Sequence, residues 1–334
     1  MTIFFLLVVA AILVIGAAIT VVEALRIETA HKASGRFVEV SGGRLHVLEL
    51  GASTDAKQLP VVLVHGASGN LHDMRLALGA RLAVNRRVIL VDRPGHGWSD
   101  RPGGAADASP ARQATLIAEA LSSIGVERFV LLGHSLGGAI ATAFALAYPA
   151  RTAGLVLLAP VTHPWEGGLA WYNAILSTPL LGPLFAHTVA VPLGILLLNG
   201  GVASVFAPQL APADYVRRAA IRLLLRPAEL IANAQDIATL KAFVTAQVPR
   251  YCEIRVPTVI LTGSADDTVS PRIHAHAIAA AVPDARLILL DGTGHMPHHV
   301  DADAVASAVA QLPVRSFALS LTTPTLSAPT SAEG

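Results

Sequence analysis

Phe129-Val130-Leu131-Leu132-Gly133-His134-Ser135-Leu136-Gly137-Gly138 is the stretch on which the reading of this chain turns. Its four leading apolar residues predict a short strand buried on both faces, and Leu136–Tyr148 reads as a helix. Between the two stands G-x-S-x-G. A serine on so sharp a strand-to-helix turn needs neighbours with almost no side chain, and Gly133 and Gly137 meet that need. The turn lifts the Ser135 hydroxyl above the strand end. There the amides and dipole of a helix N-terminus can hold an oxyanion. Ser135 is therefore the expected nucleophile, the plainer alternative being an ordinary helix N-cap.

On either side, short apolar blocks alternate with helix-like runs. Arg36–Val40 and Arg44–Leu50 flank Ser41-Gly42-Gly43, a turn suited to a hairpin. Val61–Val64, Val88–Val91, Phe129–Leu132, Leu155–Leu158, Val259–Thr262 and Leu287–Leu290 read as strands. Leu71–Leu82, Ala111–Ile124, Leu136–Tyr148, Ile273–Ala281 and Ala302–Leu312 read as helices. This alternation predicts an α/β fold, a mostly parallel eight-stranded sheet flanked by helices. About ninety residues, from Val161 to Arg250, separate two of the strands, where a crossover needs only a dozen or so. The surplus predicts an inserted helical cap at 161–250, dividing the core into 36–160 and 251–313. A tail at 314–334, rich in Ser, Thr, Pro and Ala, reads as disordered.

A serine hydroxyl is a poor nucleophile at neutral pH and needs a base. Among thirteen histidines, His295 stands out because it follows the last strand directly, in Asp291-Gly292-Thr293-Gly294-His295-Met296-Pro297. Loops after parallel strands share one sheet edge, the edge that carries Ser135. Gly263-Ser264-Ala265-Asp266-Asp267-Thr268-Val269-Ser270-Pro271 follows the preceding strand and offers Asp266 and Asp267 as the acid that orients the imidazole. His65 and His96 read as structural hydrogen-bonders, and the His134 side chain is expected to point away from the nucleophile. No carboxylate stands near His298 and His299 at metal-ligand spacing, so no metal is expected. Trp165 and Glu166 open the insertion and are candidates to line a pocket.

With these residues in place the chain resembles the α/β-hydrolase superfamily, and within it the cap-bearing esterases, lipases and carbon–carbon bond hydrolases. The resemblance runs from about Gly35 to Pro313. It includes His65-Gly66-Ala67-Ser68-Gly69 and Asp92-Arg93-Pro94-Gly95-His96-Gly97-Trp98-Ser99. It implies a triad of Ser135, Asp266 and His295, Asp266 being the acid of G-x-x-D-x-x-V-x-P counted from Gly263. It also implies oxyanion donors in the backbone N–H groups of Ala67 and Leu136, and no cofactor. One departure is Val300, where the family often carries Glu; local packing, not the reaction, should feel it. Ser at the elbow, not Asp, disfavours the haloalkane dehalogenase and epoxide hydrolase activities of the same fold. The expected reaction is hydrolysis of a carboxylic ester through an acyl-enzyme. Carbon–carbon bond hydrolysis of a diketone-like compound is the alternative with the same triad. A non-catalytic ligand-binding protein is the reading from another class.

Composition bounds the rest. Apolar residues are 53% and charged residues 14% of the 334, enough for a large core. A net charge of +1 with no dense Lys/Arg run excludes a nucleic-acid track. The single Cys252 excludes an intramolecular disulfide and cysteine-rich zinc sites. From Ile3 to Val22 every residue is apolar or small apart from Thr20, long enough at about 1.5 Å per residue to cross a bilayer core. No basic residue precedes this run, so a retained anchor over 1–25 is expected before a cleaved signal peptide, followed by a polar linker over 24–35. Arg26, Lys32 and Arg36 follow the span and favour a cytoplasmic catalytic domain. Ile175–Phe206 is strongly apolar with Pro179, Pro183 and Pro192 interrupting it. The expected partners are membrane lipid and a small apolar ester.

Overall fold

Val61–Val64 (β3), Val88–Val91 (β4) and Phe129–His134 (β5) are strands with every residue buried, as continuous apolar blocks require when helices cover both faces. In this computed structural model, which describes residues 1–52 and 58–313, they form the centre of one eight-stranded sheet. The other strands are β1 (Arg36–Val40), β2 (Gly43–Leu50), β6 (Thr152–Leu158), β7 (Thr258–Gly263) and β8 (Arg286–Leu290). Their order is β1-β2-β4-β3-β5-β6-β7-β8. The β1–β2 and β2–β4 pairs are antiparallel and the remaining pairs parallel. The tail at 314–334 lies outside the described residues.

Alternate strand residues feed two core layers, the period of 2 that a pleated strand imposes. Val62, Val64, Ile89, Val91 and Leu131 pack with the helices α3 (Pro110–Ser123) and α4 (Leu136–Ala147). Val61, Leu63, Val88, Leu90, Val130 and Leu132 pack against α2, a helical stretch over 71–82, and α8 (Ala302–Gln311). The stretch α2 carries a π-helical turn at Arg75–Gly79.

Between β6 and β7 the chain is helical, with α5 (Leu181–Phe206) and α6 (Pro227–Gln247) as its long members. α7 (Ala275–Ala281) lies between β7 and β8. From Gly167 to Ala213 there is no Asp, Glu, Lys or Arg. The N-terminal helix α1 runs Thr2–Ala30, so the linker expected over 24–35 is helical through Ala30. The reason is a stripe at helical spacing, Gly16, Thr20, Glu23 and Ile27, that is buried. Ile27 packs with Ala220, Leu223 and Leu225, and Glu23 pairs with Arg222. Helices α1 and α5 are each long and apolar enough to cross a membrane.

Candidate active site

Ser135 follows β5 and caps α4 at φ 52° and ψ −118°, a region that costs a side-chain-bearing residue on the order of 1–3 kcal/mol. Three backbone hydrogen bonds hold it there. Its N–H donates to the Leu158 carbonyl at 2.9 Å, and its carbonyl accepts from Gly138 at 2.9 Å and Val161 at 3.0 Å. A Cβ at Gly137 would overlap the Val64 carbonyl, and one at Gly133 the Gly137 carbonyl. The elbow thus threads a gap that only glycine leaves open. A Cβ on Gly66 would stand 3.0 Å from that of Ser135, so the loop after β3 abuts the serine. Leu136 opens α4, and its N–H belongs to a first turn whose amides have no intrahelical acceptor.

His295 follows β8 and Asp266 follows β7, at the carboxyl ends of adjacent parallel strands. Asp266 Oδ2 accepts from His295 Nδ1 at 2.8 Å, and both residues are buried. Asp266 Oδ1 accepts from the N–H groups of Thr268 and Val269 at 2.9 and 2.8 Å, whereas Asp267 is exposed. With its proton held on Nδ1, His295 keeps Nε2 as the basic nitrogen. A Cβ at Gly263 would overlap the Thr293 carbonyl, which shows how tightly β7 and the His295 loop are pressed together. His134 donates Nε2–H to the His295 carbonyl at 3.0 Å. Burial, with His298 and His295 beside it, holds the His134 pKa well below the ordinary histidine value, so it braces the loop as a neutral ring.

The loop after β3 is pinned from two directions. His65 Nε2 accepts from the Arg93 N–H at 3.1 Å, so the His65 proton sits on Nδ1 and is donated to the Gly66 carbonyl at 2.9 Å. Burial and the neighbouring Arg93 hold the His65 pKa down to about 3. Arg93 is fully buried, donates to the same Gly66 carbonyl at 3.2 Å, and is paired with Asp236 of α6 at 2.5 Å. On the other side of Ala67, Asn233 of α6 accepts from the Ser68 N–H at 2.7 Å and donates to Ser68 Oγ at 3.1 Å.

Some of these partners were invisible in the sequence. Asp73 lies 225 residues before His298, yet it is the carboxylate that the pair His298 and His299 lacked by spacing. It accepts from His298 at 3.1 Å, from His299 at 2.7 Å and from the Tyr215 hydroxyl of the cap at 2.7 Å. Burial alone would raise the Asp73 carboxyl, but the two histidines hold it well below the usual range. These are hydrogen-bond distances, and the cluster joins cap to core. Gln209 of the cap donates to the Gly292 carbonyl at 2.7 Å and accepts from the Gly294 N–H at 2.9 Å, bracketing the His295 loop. Trp165 is half-buried against His274, while Glu166 is exposed and Val300 lies 40% exposed. The one signal available beforehand was the spacing of Glu229, Asn233 and Asp236, a polar stripe at i, i+4 and i+7 of α6.

Residues 60–302 match the family model of the alpha/beta hydrolase fold. The chain is 29% identical over 261 residues to an uncharacterized protein of Mycobacterium bovis, covering 72% of this chain and 71% of that one. It is 28% identical over 293 residues to the 2-hydroxy-6-oxo-6-phenylhexa-2,4-dienoate hydrolase of Burkholderia cepacia, covering 83% and 95%. Among solved structures, a bacterial membrane phospholipase A superposes with a TM-score of 0.64 at 22% identity, covering 92% of this chain and 94% of that one.

Proposed function

The chain belongs to the family of the α/β-hydrolase fold, and on that footing we propose that it hydrolyses a lipophilic carboxylic ester through an acyl-enzyme on Ser135. The observation that carries the reading is the buried Asp266–His295 pair at 2.8 Å, on the sheet edge that presents the strained Ser135 elbow. Ser135 Oγ attacks the ester carbonyl while His295 Nε2 takes its proton. The N–H groups of Ala67 and Leu136 hold the oxyanion. The tetrahedral intermediate collapses, His295 returns the proton to the leaving alkoxide, and the alcohol departs. Water, deprotonated by His295, then attacks the acyl carbonyl. The second tetrahedral intermediate collapses with cleavage of the bond to Ser135 Oγ, His295 returns the proton to that oxygen, and the acid is released. Asp266 keeps the imidazole in the tautomer that this requires.

An apolar environment supports the lipophilic substrate. On this reading the Ile3–Val22 stretch of α1 crosses the bilayer core, with the catalytic domain on the cytoplasmic side. Gly16 meets the Thr188 backbone of α5, six residues and so about 9 Å before Val22 along the helix. The cap beside α1 then dips into one leaflet. Leu184, Leu196 and Leu197 on α5 are 56%, 79% and 59% exposed, apolar surface for which acyl chains are the fitting solvent.

A fluorophosphonate probe tests the chemistry. It should label the wild type and not Ser135→Ala, and turnover of long-chain p-nitrophenyl esters should exceed that of the acetate. A folded wild type that stays unlabelled would overturn the serine-hydrolase reading. The resemblance to the Burkholderia cepacia dienoate hydrolase along 83% of the chain favours carbon–carbon bond hydrolysis as the second reading. Turnover of a ring-cleavage dienoate without ester turnover would establish it instead.

A further inference from the structure

We propose that Asn233 and Asp236 of the cap helix α6 are positioning residues for the Ala67 amide, setting its direction from both sides. The inference rests on the reading of Ala67 N–H as an oxyanion donor. Its basis is peptide geometry. In a trans peptide the C=O and the N–H of one plane point in opposite directions. The Ala67 N–H shares its plane with the Gly66 carbonyl, so whatever holds that carbonyl aims that N–H. Arg93 and His65 hold it, at 3.2 and 2.9 Å. Arg93 is itself held by Asp236 and by Gln113, at 2.5 and 3.0 Å.

The following plane carries the Ser68 N–H, and Asn233 Oδ1 accepts from it at 2.7 Å. Ser68 lies at φ 57°, the left-handed region in which a residue with a side chain stays only when its surroundings hold it. Both planes flanking the Ala67 Cα are therefore clamped, and both clamps lead to one face of α6. Glu229 completes that face, accepting from the Gly97 N–H at 3.2 Å. A buried polar stripe of this kind is not needed to dock a helix on a core. Apolar side chains would do so at least as well. Asn233 and Glu229 accept from main-chain N–H groups of the loops after β3 and β4, and Asp236 reaches the Gly66 carbonyl through Arg93; this points to orientation as the stripe's role.

The test uses the full-length chain with an ester substrate and an aryl boronic acid, which mimics the tetrahedral oxyanion. Asn233→Ala should lower kcat by roughly tenfold or more, less than the hundredfold or greater loss on deleting an oxyanion donor, with KM within about twofold. Affinity for the boronic acid should fall by the same factor as kcat/KM. Asn233→Asp keeps an acceptor for the Ser68 N–H, and the Ser68 hydroxyl can turn to donate, so it should recover most of kcat. If Asn233→Ala does not fold, Asn233→Ser and Asn233→Asp answer the same question. Asp236→Asn leaves Arg93 a buried cation without its carboxylate, so it is a folding variant as well, and Asn233 carries the test. Unchanged kcat in Asn233→Ala overturns the proposal. So does a loss that tracks only the folded fraction, without recovery in Asp. A folded wild type with no turnover and no fluorophosphonate labelling overturns the serine-hydrolase reading and this proposal with it. Normal wild-type turnover beside an indifferent Asn233→Ala overturns this proposal alone.

Discussion

Gly263 shows what a single residue decides here. It closes β7, and a Cβ there would overlap the Thr293 carbonyl in the loop that carries His295. Backbone cannot yield as a flexible side chain can, so Gly263→Ala must push that loop away from Asp266. The expected loss of stability is about 1–3 kcal/mol, the range for overpacking. The expected loss of turnover is larger, since the 2.8 Å contact between Asp266 and His295 is what the shift disturbs. Urea unfolding and ester turnover measured on the same variant compare the two. A variant with wild-type turnover would show that the loop relaxes without cost. The same scale separates Asp266 from Asp267. Both are acids on the right loop, but only Asp266 is buried and faces His295. Composition and periodicity do not separate the two, and it takes the family's G-x-x-D-x-x-V-x-P spacing to single out Asp266 from sequence.

Helix α6 shows how an element combines packing with polar duty. Its buried stripe repeats at helical spacing, but Glu229 carries a titratable group into the interior. Burial pushes its carboxyl up to about 7, against the pull of Arg226. In the unfolded chain the same group titrates near 4.5. The folded state therefore retains a proton that the unfolded state has released. The resulting stabilisation is fully present below about pH 4.5 and is lost as pH rises through about 7. Glu229→Gln keeps an acceptor for the Gly97 N–H and has no proton to lose. Its Tm should fall less than that of the wild type between pH 4.5 and 8, and should lie above the wild type at pH 8. Parallel Tm curves for the two would refute the assignment. Helix α1 shows the opposite balance. Its first half is exposed and apolar, and its second half docks through Gly16, Thr20, Glu23 and Ile27. A hydropathy plot registers the first half; only contact with the cap shows why the helix continues through polar residues to Ala30.

For the whole molecule, the proposed immersion of the cap makes a prediction independent of catalysis. A fluorophore on Leu184→Cys or Leu196→Cys, in a Cys252→Ser background in lipid vesicles, should be quenched by spin-labelled lipids and shielded from aqueous iodide. A fluorophore on Val84→Cys, 79% exposed on the core, should behave the other way. Iodide quenching at Leu184 and Leu196 equal to that at Val84 would place the cap in water. Much of this molecule is legible in its sequence. The alternation of apolar blocks and helical runs specified the sheet, and G-x-S-x-G specified the elbow, because both express local physics, side-chain periodicity and the steric demand of one sharp turn. The tertiary structure alone decided which groups meet across the chain: Asn233 with Ser68 over 165 residues, Asp236 with Arg93 over 143, and His299 with Asp73 over 226. Such bonds leave no periodic trace in the chain. They join side chains and loop amides whose proximity is set by how the cap and sheet pack, and packing is a property of the folded whole.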